Sequence, residues 1–128
     1  MLATIDGQGV TSIPKRRQSF YQRIRNRMSD ADYNAIMDKL EQVLDNVSSG
    51  DEVVTSSFVP GNNWSNTVYD SIYIACGPEV EPEKYAGWMF GLLMWEAVIN
   101  HNDLWLFIKS ETDDGEPLGT TYFKPKPQ

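Results

Sequence analysis

Cysteine and histidine are nearly absent from this 128-residue chain, which has one of each. Cys76 cannot close an internal disulfide, so nothing argues for an oxidising compartment. With His101 as the sole imidazole, neither a Cys/His zinc site nor a two-histidine phosphoesterase can be assembled. The chain also lacks the glycine spacing of a phosphate loop and any Gly-x-Gly-x-x-Gly motif, and Gly7-Gln8-Gly9 alone carries almost no weight. A Ser-His-Asp triad would have to use His101, yet no serine stands in a Gly-x-Ser-x-Gly elbow. These gaps lead us to expect no metal, no cofactor and no nucleophilic hydrolysis.

Long apolar runs are missing too. The most apolar passage, YAGWMFGLLMWEAVIN at 85–100, is bounded by Lys84 and interrupted by Glu96, whereas a membrane-spanning helix needs roughly 20 predominantly apolar residues. The start MLATIDGQGV has no charged segment leading into an apolar run, so no export signal is expected. The triplets Asn46-Val47-Ser48 and Asn63-Trp64-Ser65 therefore read as chance matches to the glycosylation pattern. The expectation is a cytoplasmic protein without membrane contact.

What is present is a globular composition, 41% hydrophobic and 12% aromatic, enough to form a core at this length without disulfides or metal. No internal repeat or long linker divides the chain, so residues 1–128 read as a single domain. Net charge is −7, unevenly spread. Up to residue 28, Lys15, Arg16, Arg17, Arg23, Arg25 and Arg27 stand against Asp6 alone. Beyond it, five lysines face seventeen acids, or −12. Such asymmetry suits a nucleic-acid contact by the basic part or a basic partner for the acidic part. The alternative is that the two regions simply pair with each other.

Local patterns predict the elements. Residues 2–6 read as a short strand ended by Gly7-Gln8-Gly9. Ser12 and Pro14 open a basic helix over 14–28, with Phe20, Tyr21, Ile24 and Met28 on one side. Ser29, three residues before Asp32, resembles a capping box. It starts a helix over 30–47 whose apolar stripe is Tyr33, Ile36, Met37, Leu40, Leu44 and Val47. The β-branched run 53–59 reads as a strand. Residues 67–76 alternate as a strand would, but a cap at Ser65 or Asn66 and the following Gly77-Pro78 favour a helix. Pro82 and nearby glutamates begin the long helix, which closes at Asn100-His101-Asn102. Residues 104–123 read as a hairpin, its first strand central and covered on both faces. The fold class is α+β, with about four helices packed on a small antiparallel sheet of three or more strands.

The long helix is apolar nearly all round, which marks it as the central core helix, with the Met89 and Glu96 side as a possible contact surface. Cys76 reads as core rather than as half of a thiolate pair with His101. Asp113, Asp114 and Glu116 form an acidic turn without the spacing of a calcium loop. Trp64, among asparagines and followed by Tyr69 and Tyr73, is either an exposed aromatic anchor or a buried ring. The leading functional expectation is a non-enzymatic, macromolecule-binding protein: a small acidic inhibitor or adaptor of the sort mobile genetic elements encode, docking on a basic surface of a protein partner through Trp64, Asp113, Asp114 and Glu116. The alternative is a nucleic-acid contact through Arg16, Arg17, Arg23, Arg25 and Arg27. A third class is a small-molecule enzyme with Glu96 or Asp70 as acid or base.

Overall fold

The computed structural model describes residues 1–48, 50–54, 64, 66–109 and 120–125, with the side chains of 52–54 and 109 excepted. The chain runs through strands β1 (Leu2–Ala3) and β2 (Gly9–Val10), helices α1 (Lys15–Arg25) and α2 (Asp30–Asp45), strand β3 (Glu52–Val54), helices α3 (Asp70–Cys76) and α4 (Pro82–Asn100), and strands β4 (Trp105–Lys109) and β5 (Thr120–Phe123). The class is α+β, as the residue patterns predict.

Each helix forms for reasons visible locally. Pro14 precedes the first turn of α1, whose last turn carries Arg23 and Arg25 where the macrodipole favours cations. The Ser29 hydroxyl oxygen accepts from the Asp32 N–H at 3.1 Å, so the predicted cap of α2 is made. Ile36, Leu40 and Leu44 then form its fully buried stripe. Residues 70–76 are helical, but the helix starts later than predicted, after Asn66 in a left-handed turn (φ 65°) and a Thr67 hydroxyl that accepts from the Tyr69 N–H. Asparagine tolerates that backbone better than most side chains.

Helix α4 is the centre of the molecule. Its buried residues run from Ala86 to Val98 on every side, because the sheet covers one flank and α2 and α3 the other. Trp95 meets Phe107 of β4 at 4.7 Å between ring centroids and Tyr122 of β5 at 6.3 Å, and its indole N–H donates to the Ser12 carbonyl. Met89 is wholly buried. The expectation that the Met89 and Glu96 side could be a contact surface is therefore corrected at Met89, which is core, while Glu96 is half-buried.

The sheet has five strands in the order β2-β1-β4-β5-β3. It is mixed, not antiparallel as expected: β1 lies parallel to β4, Leu2 opposite Trp105, while the other pairs are antiparallel. Hairpin signals reveal only neighbours in sequence, whereas a parallel pair needs a long crossover, here all four helices. The glycines after β1 do not end the strand region but turn it back: Gly7 adopts φ 89°, Thr4 and Gln8 share a backbone hydrogen bond, and β2 returns beside β1. Strand β4 is central as predicted, but among the described residues its two faces are unequally covered. Trp105 is buried and Phe107 half-buried toward α4, whereas Ile108 is 50% exposed, as strand alternation over a single helical layer requires.

Candidate functional site

Helix α2 and the end of α4 leave a cavity of about 180 Å³ between them, lined by Tyr33, Met37, Asp38 and Glu41 on one side and Ala97, Asn100 and His101 on the other. Its geometry follows from the α2 periodicity. Ile36, Leu40 and Leu44 turn into the core, Tyr33 and Met37 sit half-buried beside them, and Asp38, Glu41 and Asp45 stand on the next, exposed strip. No Lys or Arg lines the cavity.

His101, 7% exposed, forms one end. Its Nδ1 accepts from the Trp105 indole N–H at 3.1 Å and from the Asp103 backbone N–H at 3.2 Å. Two donors on one nitrogen assign the ring proton to Nε2, which donates to the Asp45 carboxylate at 2.7 Å. Both nitrogens are thus engaged in holding the α4 terminus to α2 and β4. The α-amino group of Met1 also donates to the carbonyls of Val98, His101 and Asp103, placing positive charge at the negative end of α4.

The basic helix is largely turned upon its own protein. Arg23 and Arg27 converge on Glu79 at 2.6 and 2.8 Å, and Arg27 also donates to the Ala75 carbonyl. Arg25 pairs with Asp30 at 2.8 Å and lies 4.1 Å from the Tyr33 ring centroid. The Arg17 guanidinium covers Trp88 at 3.9 Å, and Arg16 lies on the exposed side of α1. Hydrogen bonds from Arg23 and then Arg27 hold the Glu79 carboxyl below its usual range. By contrast, Asp38 and Glu41 make no ion pair among the described residues.

The remaining sequence candidates separate. Trp64 is 1% exposed, packed at tilted angles among Tyr73, Phe90 and Tyr69 with centroids 4.6, 5.5 and 6.2 Å away. This corrects the expectation of an exposed anchor: its polar neighbours describe the chain beside it, not the ring, whose area drives it inward. Asp113, Asp114 and Glu116 lie outside the described residues. Glu96 accepts from the Tyr21 hydroxyl at 2.5 Å; burial, with the Glu96 hydrogen bond added, raises the Tyr21 pKa well above the ordinary phenol range. Asp70 sits in the first turn of α3. Cys76 is fully buried, and burial followed by the charge of Glu79 pushes its thiol up to about 11. No cluster of three or more His, Cys, Asp or Glu suited to a metal occurs among the described residues, and no described helix is long and apolar enough to cross a membrane.

Sequence reasoning missed the α2–α4 cavity. The spacing of Asp38, Glu41 and Asp45 along one helical strip is legible, but that Asn100 and His101 lie opposite is not. Comparison with family models, curated proteins and solved structures finds no match for this chain.

Proposed function

We propose that the protein is a non-enzymatic, acidic binding protein, an inhibitor or adaptor of the kind carried by mobile elements, that docks the α2 strip of Asp38, Glu41 and Asp45 on a basic surface of a larger protein. The observation that carries this reading is the unequal disposal of charge. Arg23, Arg25 and Arg27 are paired with Glu79 and Asp30 within the chain, while Asp38 and Glu41 stand beside a cavity and have no ion pair among the described residues. An exposed field of negative sign accelerates encounter with basic sites and repels nucleic acid. The same arginine pairs weaken the case for a nucleic-acid contact by α1. A cytoplasmic setting goes with this reading on the strength of the lone cysteine.

The test is affinity capture from lysate of the encoding cells, run in parallel with the triple variant Asp38→Asn, Glu41→Gln, Asp45→Asn, and then repeated with the purified partner. A basic protein retained by the parent chain, released by salt and lost in the variant supports the reading. Capture of nucleic acid alone, or of the same proteins by both chains, overturns it.

A further inference from the structure

Resting on the proposed docking through α2, we infer that the cavity between α2 and α4 seats one arginine or lysine side chain of the partner. Three independent features agree. The first is size: at about 180 Å³ the cavity falls below the roughly 300–1,000 Å³ of small-molecule pockets, and suits a single long side chain. The second is the distribution of its lining. Met37 and Ala97 offer apolar surface for an aliphatic stem, and Asp38 and Glu41 provide carboxylates for the charged head.

The third is an electrostatic arrangement in which Asp38 and Glu41 have no ion pair among the described residues. Of the three acids on the strip, Asp45 stands in the last turn of α2, where the macrodipole disfavours an acid and no basic residue is present. Asp38 and Glu41 are three apart and Glu41 and Asp45 four apart, so neighbouring acids on the strip also repel. His101 offsets only Asp45, by its hydrogen bond. Arg25 of α1, which lies over the Tyr33 ring, is held by Asp30 and by the Met28 carbonyl. Like charges set three and four apart on one strip are the kind of local inconsistency that functional sites show, and an external cation is what corrects it.

The probe is an acetylated, amidated Gly-Arg-Gly peptide, with its lysine counterpart, titrated into the isotopically labelled full chain and followed by amide chemical shifts. The control replaces arginine by citrulline, which keeps the shape and removes the charge. Saturable shifts centred on residues 33–41 and 97–101, at affinities of about 1 mM as a one-side-chain contact allows, support the inference. They should be absent with citrulline and weaken by about tenfold in Asp38→Asn, Glu41→Gln, the effect of losing a charge-assisted contact. Equal shifts with citrulline, or no saturation by about 20 mM, overturn the site. Shifts scattered over all exposed acids overturn it too, while leaving docking through the acidic face intact; failure of that broader reading is seen separately, in the capture experiment.

Discussion

His101 donates from Nε2 to Asp45 at 2.7 Å while its Nδ1 receives the Trp105 indole N–H at 3.1 Å, so one imidazole joins the end of α4 to the last residue of α2 and the first of β4. Trp105 is completely buried. Its N–H therefore has no water to turn to if the ring is removed.

That arrangement predicts an unequal response from the two ends. His101→Ala leaves the Trp105 donor unsatisfied and should destabilise the fold by about 1–3 kcal/mol. Asp45→Asn touches a carboxylate that is 60% exposed and should cost less than about 1 kcal/mol. Urea unfolding of both variants checks the order, and an Asp45→Asn loss as large as that of His101→Ala would contradict the assignment of roles.

The Glu79 clamp on Arg23 and Arg27 should be visible in acid. Because its carboxyl titrates lower in the folded chain than in the unfolded one, its contribution is complete above the ordinary value of 4.5 and is lost as pH falls through the depressed folded value. Thermal midpoints measured across that window should fall more steeply for the parent chain than for Glu79→Gln. Superimposable profiles would mean that the clamp contributes nothing.

Cys76 should behave as a reporter of unfolding. With its thiol pushed up to about 11 by burial, alkylation near pH 8 is predicted to be slow in the native chain and to rise with denaturant along the unfolding curve. The sign at alkaline pH follows from the same shift. The neutral thiol favours the folded chain below the ordinary value of 9.0, and that contribution is lost as pH climbs from there toward about 11. Rapid stoichiometric labelling of the folded protein would place the thiol at the surface.

Trp64 should act on stability. Trp64→Ala removes the ring between Tyr73 and Phe90 and should cost about 3–5 kcal/mol, the range of large aromatic truncations in cores. Trp64→Phe should cost less, since it keeps apolar contact and deletes an indole N–H that has no hydrogen-bond partner among the described residues. Chemical denaturation followed by circular dichroism distinguishes the two; an unchanged midpoint in Trp64→Ala would move the ring out of the core. Trp95→Ala, at the junction of α4 and the sheet, should fall in the same range.

The α2 acids should show the opposite behaviour. Neutralising Glu41 alone relieves two repulsive pairs and should raise stability by about 0.4–1 kcal/mol at low salt, with the gain shrinking as salt screens the strip. A stabilising change that also weakens binding is the trade-off expected of residues kept for function. A loss of stability in Glu41→Gln would show that the carboxylate has an internal partner.

Much of the architecture was legible because its causes are local. The Ser29 cap, the Ile36-Leu40-Leu44 stripe, Pro82 at the start of α4 and the β4–β5 pairing all depend on residues within a few turns or one hairpin of each other. The all-round apolar character of α4 likewise announces burial without any knowledge of its neighbours. Even the charge asymmetry is written in the composition of the first 28 residues. Only the tertiary structure decided where these features go. Arg23 and Arg27 find Glu79 across separations of 56 and 52 residues, a pairing that the charge count of the helix does not reveal. The parallel β1–β4 pair requires the whole helical layer as its crossover. Trp64 is buried because Tyr73 and Phe90 arrive around it. The α2–α4 cavity exists because Asn100 and His101 end their helix beside Asp38 and Glu41. Capping and periodicity act through bonds and turns close along the chain, and sequence displays them. Ion pairing, ring packing and cavities arise from proximity between distant segments, which only the packing of hydrophobic faces into one core can set.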